Sequence, residues 1–421
     1  MKQIALTMNT KRFLMCGTLF AVVAFLLSNH VAAQSGTRFL DPVFDEVTTT
    51  EAVPFSSAIR EGQTSPTTLY LDFYEPTGDT MAKRPLVITV FGGAFVTGSR
   101  DYVDMVAYCT RLAKLGYATA SIDYRLLSWL QFSESALMRD AYMAAQDVSS
   151  AIRFFKLHCD DYRIDPERIF LLGNSAGSIA ILAEMFMGEE ERPEQTFTEP
   201  DLGTMHSSGF EEYAGISPTV AGAIPHWGGV NALDVIDVEE YTPICMIHGT
   251  DDLTVPFDSG YCFSNFSLPS MPYMYGSQAI ATHLESIGIS DLEFHPFEGE
   301  EHAFYYSPTY QIDEEKFALC FNITRDFLWK HLEYSTTVPE TALPDVDVFP
   351  NPANATLFLN DEALLENGSY RLTIMDMYGR ILLSKNIASH SFIDVSQWPS
   401  GVYVARFEQN GSCCFRKFVK R

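Results

Sequence analysis

The chain has 421 residues, of which 47% are hydrophobic and 13% aromatic, and carries 54 acidic against 28 basic side chains for a formal charge of −26. That composition excludes a disordered polypeptide and supplies one large core with room for a small second domain. The acidic excess argues against nucleic acid and anionic membrane surfaces as partners and fits an acidic surface outside the cytoplasm.

Residues 1–33 read as an export signal. Lys2, Lys11 and Arg12 precede an apolar run over 13–27, and Val31, Ala32 and Ala33 supply small residues at cleavage spacing. A membrane anchor is the competing reading, but the run is short for a span. Eight cysteines are present. Cys16 leaves with the signal, so an odd number remains and at least one stays unpaired within a monomer. Export permits disulfides, and Cys262 with Cys320 is a candidate pair. No C-x-x-C or Cys/His cluster suggests a metal.

Residues 67–74 (T-T-L-Y-L-D-F-Y) alternate apolar and polar, as a half-exposed strand does, and 75–78 read as its turn. From Pro85 the pattern becomes continuous apolar runs alternating with helical stretches, the signature of a parallel sheet covered on both faces. It predicts strands over 86–91, 118–123, 169–173, 222–227, 244–248 and 292–297. Helices are predicted over 102–115, 135–158, 175–187, 277–287 and 313–331. Two segments stand outside this alternation: 188–215, rich in Glu, Pro and Thr, and 258–275, rich in Ser, Pro and aromatics. They are expected either to roof a pocket or to be solvent-exposed insertions.

Composition shifts again over 335–345, a linker. Beyond it, 346–421 holds short alternating segments such as 370–375, 380–384 and 402–407. Asn367-Gly368, Tyr378-Gly379 and Asn410-Gly411 separate them as turns, which predicts a small β-sandwich. The expected organisation is thus a signal over 1–33, an α/β domain over 34–334, a linker over 335–345 and a β-sandwich over 346–421.

Residues 169–177 read I-F-L-L-G-N-S-A-G, an apolar strand running into a glycine-bracketed serine and then a helix. G-x-S-x-G alone arises by chance about once in seven chains of this length, given typical Gly and Ser usage. The flanking strand and helix matter more, because a nucleophilic serine must stand clear at a sharp strand-to-helix turn. Ser175 is the candidate nucleophile.

Such a serine needs a base, an acid that orients the base, and donors for an oxyanion. Residues 244–256 (I-C-M-I-H-G-T-D-D-L-T-V-P) form a strand followed by a loop with two aspartates; Asp252 is preferred and Asp251 is the runner-up. Residues 292–304 (L-E-F-H-P-F-E-G-E-E-H-A-F) place His302 past the end of another strand, where an imidazole can turn toward the serine. His295, inside that strand, and His248, ending the previous one, read as structural. Residues 90–98 (V-F-G-G-A-F-V-T-G) follow the first strong core strand, and the amides of Gly93 and Ala94 would join that of Ala176 as oxyanion donors. The chain order Ser175, Asp252, His302 is the one an α/β-hydrolase uses.

Over 85–332 the chain resembles the α/β-hydrolase carboxylesterases and lipases. The resemblance rests on the glycine-rich loop, D-Y-R-L at 123–126, a helix leading to I-D-P-x-R-I at 164–169, and G-x-S-A-G. It implies a mostly parallel sheet with helices on both faces, a serine esterase activity and no cofactor or metal. Phe91 stands where the family's H-G-G-G opens with histidine, and Ala94 stands for its third glycine; both bear on acyl-pocket shape and alcohol preference. Asn174 is unusual at the variable position and is given no role. The segment 346–421 resembles the C-terminal sorting domain of the type IX secretion system. Its landmarks are V-F-P-N-P-A at 348–353, M-Y-G-R at 377–380, P-S-G-V-Y at 399–403 and K-F-V-K at 417–420. That resemblance implies recognition by outer-membrane secretion machinery; a carbohydrate-binding β-module is the rival.

The resulting expectation is a secreted or cell-surface serine carboxylester hydrolase. Its substrates range from small acyl esters to polysaccharide-linked esters and polyesters. Trp129, Phe132, Trp227 and Phe304 are candidates for an aromatic acyl pocket, against core packing as the alternative. A secreted serine peptidase of the same fold and a catalytically silent adhesion protein are the competing readings.

Overall fold

Past Arg84, residues 85–90 carry one polar side chain, Thr89, so they are stable as a strand only where both faces are covered. With Arg84 they form β3 (Arg84–Val90), buried at every position. The structure is a computed structural model that describes residues 37–421, except 128–132, 237–241, 267, 269–270, 290, 308, 310, 333–345, 361–364, 366–367, 377–380, 389–391 and 410–411. The expected signal over 1–33, the expected linker over 335–345, Trp129, Phe132, the M-Y-G-R landmark and the turn residues Asn367, Asn410 and Gly411 lie outside the described residues. Two compact units divide the chain, Met1–Leu332 and Glu333–Arg421.

In the first unit the elements follow as β1 (Val47–Ile59), β2 (Pro66–Pro76), β3, α1 (Val103–Leu115), β4 (Ala118–Ile122), α2 (Glu134–Leu157), β5 (Ile164–Asn174) and α3 (Ala176–Phe186). After them come β6 (Gly222–His226), β7 (Gly229–Val230), β8 (Ile244–Gly249), β9 (Ser259–Tyr261), β10 (Tyr273–Gly276), α4 (Ser277–Ser286), β11 (Leu292–Phe297) and α5 (Glu314–His331). Eight strands form one sheet in the order β1-β2-β4-β3-β5-β6-β8-β11. β1 and β2 pair antiparallel, as do β2 and β4, and the remaining strands run parallel. This is the expected α/β-hydrolase architecture. β1 had no sequence signal: its V-T-T-T-E segment is largely exposed at the sheet edge, and pairing with β2 rather than apolar periodicity makes it a strand.

From β3 the chain steps to β4 on one side and then crosses to β5 on the other. The carboxyl ends of β3 and β5 therefore flank a crevice at the point where the winding reverses, where ligands bind in open α/β sheets. Helix starts and stops follow local chemistry. The Ser133 hydroxyl accepts from the Ala136 amide at 3.3 Å to cap α2. α1 ends on Gly116 at φ 111°, whose amide reaches the Leu112 and Ala113 carbonyls.

The second unit holds β12 (Asp347–Phe349), β13 (Thr356–Asn360), β14 (Tyr370–Asp376), β15 (Ile381–Ile387), β16 (Phe392–Asp394), β17 (Gly401–Gln409) and β18 (Ser412–Lys420). They form two antiparallel sheets, β12-β13-β16 and β15-β14-β17-β18. Leu357, Leu372, Ile374, Ala405, Phe407 and Phe418 are buried in its core, the inward half of each alternating strand.

The candidate disulfide does not form. Cys262, just after β9, and Cys320, within α5, are separate buried free cysteines. Burial pushes both thiols up to about 12, which keeps them protonated and unreactive.

Candidate active site

The turn at Ser175 is strained and closely packed. Ser175 sits at φ 51°, ψ −119°, a region that L residues rarely occupy. Its amide donates to the His226 carbonyl at 3.0 Å, locking the turn to β6. The flanking glycines are there because α3 presses onto the sheet: a Cβ at Gly173 would lie 2.7 Å from the Gly177 carbonyl carbon, and one at Gly177 would lie 2.1 Å from the Val90 oxygen.

His302 and Asp252 converge on this serine from the loops after β11 and β8. Ser175 Oγ donates to His302 Nε2 at 2.8 Å, and His302 Nδ1 donates to Asp252 Oδ2 at 2.6 Å. Asp252 is buried, and its Oδ1 accepts from the amides of Thr254 and Val255 at 2.8 and 3.0 Å. Burial raises the carboxyl, but hydrogen bonds and positive charge from His248 and His302 outweigh that and hold it at about 2. It is therefore ionised throughout the neutral range. Asp251 makes no such link; its amide is bonded to the Glu300 carbonyl.

His248 has a place that its position at a strand end did not reveal. Its Nε2 lies 3.1 Å from Asp252 Oδ2 and 3.2 Å from the Val255 carbonyl, both acceptors, so Nε2 carries the proton. Its Nδ1 then accepts from the Ser277 hydroxyl at 2.8 Å. A second imidazole thus braces the carboxylate from behind. His295 faces Glu293 at 3.6 Å, away from the serine.

The loop after β3 lies against the serine: a Cβ on Gly92 would meet Ser175 Cβ at 3.0 Å. Gly93 adopts φ 125°, where a Cβ would strike the Thr97 carbonyl oxygen at 2.0 Å, and Ala94 and Phe95 also take positive φ. Ala176 is the first residue of α3, where the amide has no intrahelical acceptor. D-Y-R-L holds this loop. Asp123 binds Arg100 at 2.7 Å, Tyr124 donates to the Phe91 carbonyl at 3.0 Å and stacks on its ring at 4.3 Å, and Arg125 pairs with buried Asp147. Phe91 is consequently core, closing the loop from below.

Beside Ser175 opens an apolar cavity that is partly open to solvent. Pro193 from the 188–215 segment and Cys262, Phe263, Pro272 and Met274 from the 258–275 segment form part of its wall. Trp227 and Phe304, two of the aromatic residues considered for it, do not: Trp227 is fully buried, its ring 6.2 Å from His302 and 5.3 Å from Phe304. These two rings pack behind the imidazole and form no part of the cavity wall.

A buried carboxylate that the sequence gave no reason to select ties the two loops together. Asp104, in the first turn of α1, accepts from the side-chain amide of Asn174 and, at 2.9 Å, from the Tyr305 hydroxyl. Burial pushes its carboxyl up, while hydrogen bonds from Tyr306 and Tyr305 pull it down. Asn174 precedes the serine and Tyr305 follows His302 by three residues, so one side chain spans both. Asp104→Ala would remove the shared acceptor of the Asn174 amide and the Tyr305 and Tyr306 hydroxyls, an expected loss of roughly 3 kcal/mol, with kcat lowered about tenfold through misplaced loops. Urea unfolding and kcat on a small ester check this; unchanged kcat would confine Asp104 to folding.

Cys245, Glu293 and His295 bring ligand atoms within 4.8 Å of one another across β8 and β11. Lys330 already holds Glu293 at 3.1 Å, so the group is an ion-pair cluster on the edge strand.

The sheet order and a nucleophile turn at its switch point define the α/β-hydrolase fold. Within that class, residues 71–212 match the family model BD-FAE, and residues 347–421 match the secretion system C-terminal sorting domain. The chain therefore carries a BD-FAE esterase-type domain followed by a type IX sorting domain, which directs it across the outer membrane to the cell surface or beyond. Among similar proteins, a "Probable isoprenylcysteine alpha-carbonyl methylesterase ICMEL1" of Arabidopsis thaliana is 28% identical over 233 residues, covering 46% of this chain and 44% of its own length. Its namesake of Oryza sativa subsp. japonica is 32% identical over 168 residues, 40% and 33% of the two lengths. The chain thus spans less than half the length of these curated relatives. A propionate-bound esterase of Thermogutta terrifontis aligns at 22% identity with a TM-score of 0.47, covering 66% of this chain and 94% of that one.

Proposed function

We propose that the protein is a secreted serine carboxylester hydrolase that works through Ser175, His302 and Asp252. The observation that carries this reading is the unbroken hydrogen-bond path from Ser175 Oγ through His302 to the ionised Asp252, at the mouth of an apolar cavity.

As the ester carbonyl approaches, His302 Nε2 takes the Ser175 proton and Oγ bonds to the carbonyl carbon. The carbonyl oxygen becomes an anion facing the amides of Gly93, Ala94 and Ala176. His302 then gives its proton to the leaving alcohol oxygen, leaving an acyl-Ser175. Water, deprotonated by the same imidazole, attacks the acyl carbon and frees the acid. Asp252 holds the imidazole with Nδ1 protonated and stabilises the imidazolium formed in each half-reaction. The sorting domain delivers this activity outside the cell, where esters too large to import are accessible.

The test compares p-nitrophenyl acetate with peptide p-nitroanilides on the purified protein. Ester hydrolysis with anilides cleaved at least a hundredfold more slowly is expected; preference for anilides would make the protein a peptidase.

A further inference from the structure

The cavity beside Ser175 has a side, a length and a chemistry, and together they define what it accepts. Its wall includes Ser175, Ala176 and Ala94 but not His302. In the proposed reaction the leaving oxygen must lie against the His302 proton, so the alcohol departs on the imidazole side. The cavity, touching the nucleophile and the oxyanion loop but not the imidazole, lies on the acyl side.

Its length follows one face of α3. Ala176, Ile179, Ala183 and the C-capping Met187 all line it, at spacings of three and four residues that share a helix face. The distance from Ala176 to Met187 is roughly 16 Å at about 1.5 Å per residue. That is the reach of a medium-length alkyl chain and far beyond an acetyl group.

The chemistry is apolar, with the rings of Phe95, Tyr142 and Phe263 set among aliphatic side chains. No Asp, Glu, Lys or Arg is among the described residues of the wall. The Tyr142 hydroxyl is turned to the Gly203 carbonyl at 3.2 Å, and methionines at 138, 187 and 274 supply adaptable apolar surface. A charged acyl terminus would meet no counter-charge there, and Asn231 is the one amide side chain among the described residues of the wall.

Resting on the ester-hydrolase reading above, we infer that this cavity is an acyl subsite for saturated, unbranched, medium-length chains, and that the substrates are esters of medium-chain fatty acids. Each further methylene entering the channel is expected to raise kcat/KM about threefold until the end near Met187 is reached.

The experiment measures kcat/KM for p-nitrophenyl acetate, butyrate, octanoate and palmitate, and for methyl ferulate, on the full chain. Octanoate should exceed acetate by at least tenfold, palmitate should fall below octanoate, and methyl ferulate should be the slower substrate. Ala183→Trp, which places an indole midway along the channel, should lower the octanoate-to-butyrate ratio at least tenfold. Met187→Trp, at a half-buried position that tolerates bulk, should lower the palmitate-to-octanoate ratio and so gives the same answer if Ala183→Trp does not fold. A Ser175-dependent acetate activity without gain along the series, a preference for ferulate, or ratios unmoved in a folded variant overturns the acyl-chain assignment alone. Absence of all ester hydrolysis overturns the reading on which it rests.

Discussion

Ser175→Ala is expected to lower kcat for p-nitrophenyl butyrate by on the order of 10⁶, with KM little changed and a residual rate above that in water. The change removes only Oγ, because the backbone at φ 51° is held by the His226 carbonyl and by the crowding at Gly173 and Gly177 rather than by the hydroxyl. The fold should therefore survive, and any residual rate would report the amides of Gly93, Ala94 and Ala176 acting without a nucleophile. A variant with parental activity and an unaltered circular dichroism spectrum would remove Ser175 from the mechanism.

Asp252→Asn has the second largest expected effect, about 10⁴ in kcat. An amide at this position offers a donor toward His302 Nδ1, so the proton shifts to Nε2 and the imidazole can no longer accept from Ser175. The backbone amides of Thr254 and Val255 sharpen the expectation: both donate to Oδ1, so they hold the amide oxygen there and leave the nitrogen at the Oδ2 position facing His302. The substitution also bears on stability. With the native carboxyl held at about 2, below its ordinary value, the stabilisation it provides is complete above the unfolded pKa and fades as pH falls through 2. At neutral pH the variant should lose on the order of 2 kcal/mol, with the difference from the parent shrinking as solutions become strongly acidic. Urea melts at neutral pH, paired with kcat, separate the two effects; full activity in Asp252→Asn would leave His302 oriented by something else.

The fold was legible where burial leaves a pattern. β3, β4, β6 and β8 are buried throughout, as is β5 from Ile169 onward, and a strand buried on both faces reads as a continuous apolar run. β1 left no such trace because its stability comes from pairing at an edge. Positions just past strand ends could be read as candidates for Ser175, Asp252 and His302, and they converge within hydrogen-bond reach. What could not be read were contacts between residues distant in sequence. Asp104 lies about 70 residues before Asn174 and about 200 before Tyr305, and no local spacing marks that meeting. For Trp227 and Phe304 the core-packing alternative holds: the Trp227 ring meets Phe304 and His302 edge-on, and composition cannot distinguish such packing from a ligand wall. Cys262 and Cys320 illustrate the same limit, since parity of count says nothing of distance.

α3 performs two tasks with one rigid rod. Its first amide faces the proposed oxyanion and the stripe of Ala176, Ile179, Ala183 and Met187 runs along the cavity, so the proposed chain-length selection is laid out along the same axis that anchors the chemistry. Such a rod is a graduated scale. A bulky residue introduced one turn deeper or shallower moves the stop by about 5.4 Å without disturbing the zero mark at Ser175, so selectivity for successive acyl lengths can be dialled in steps of a helical turn.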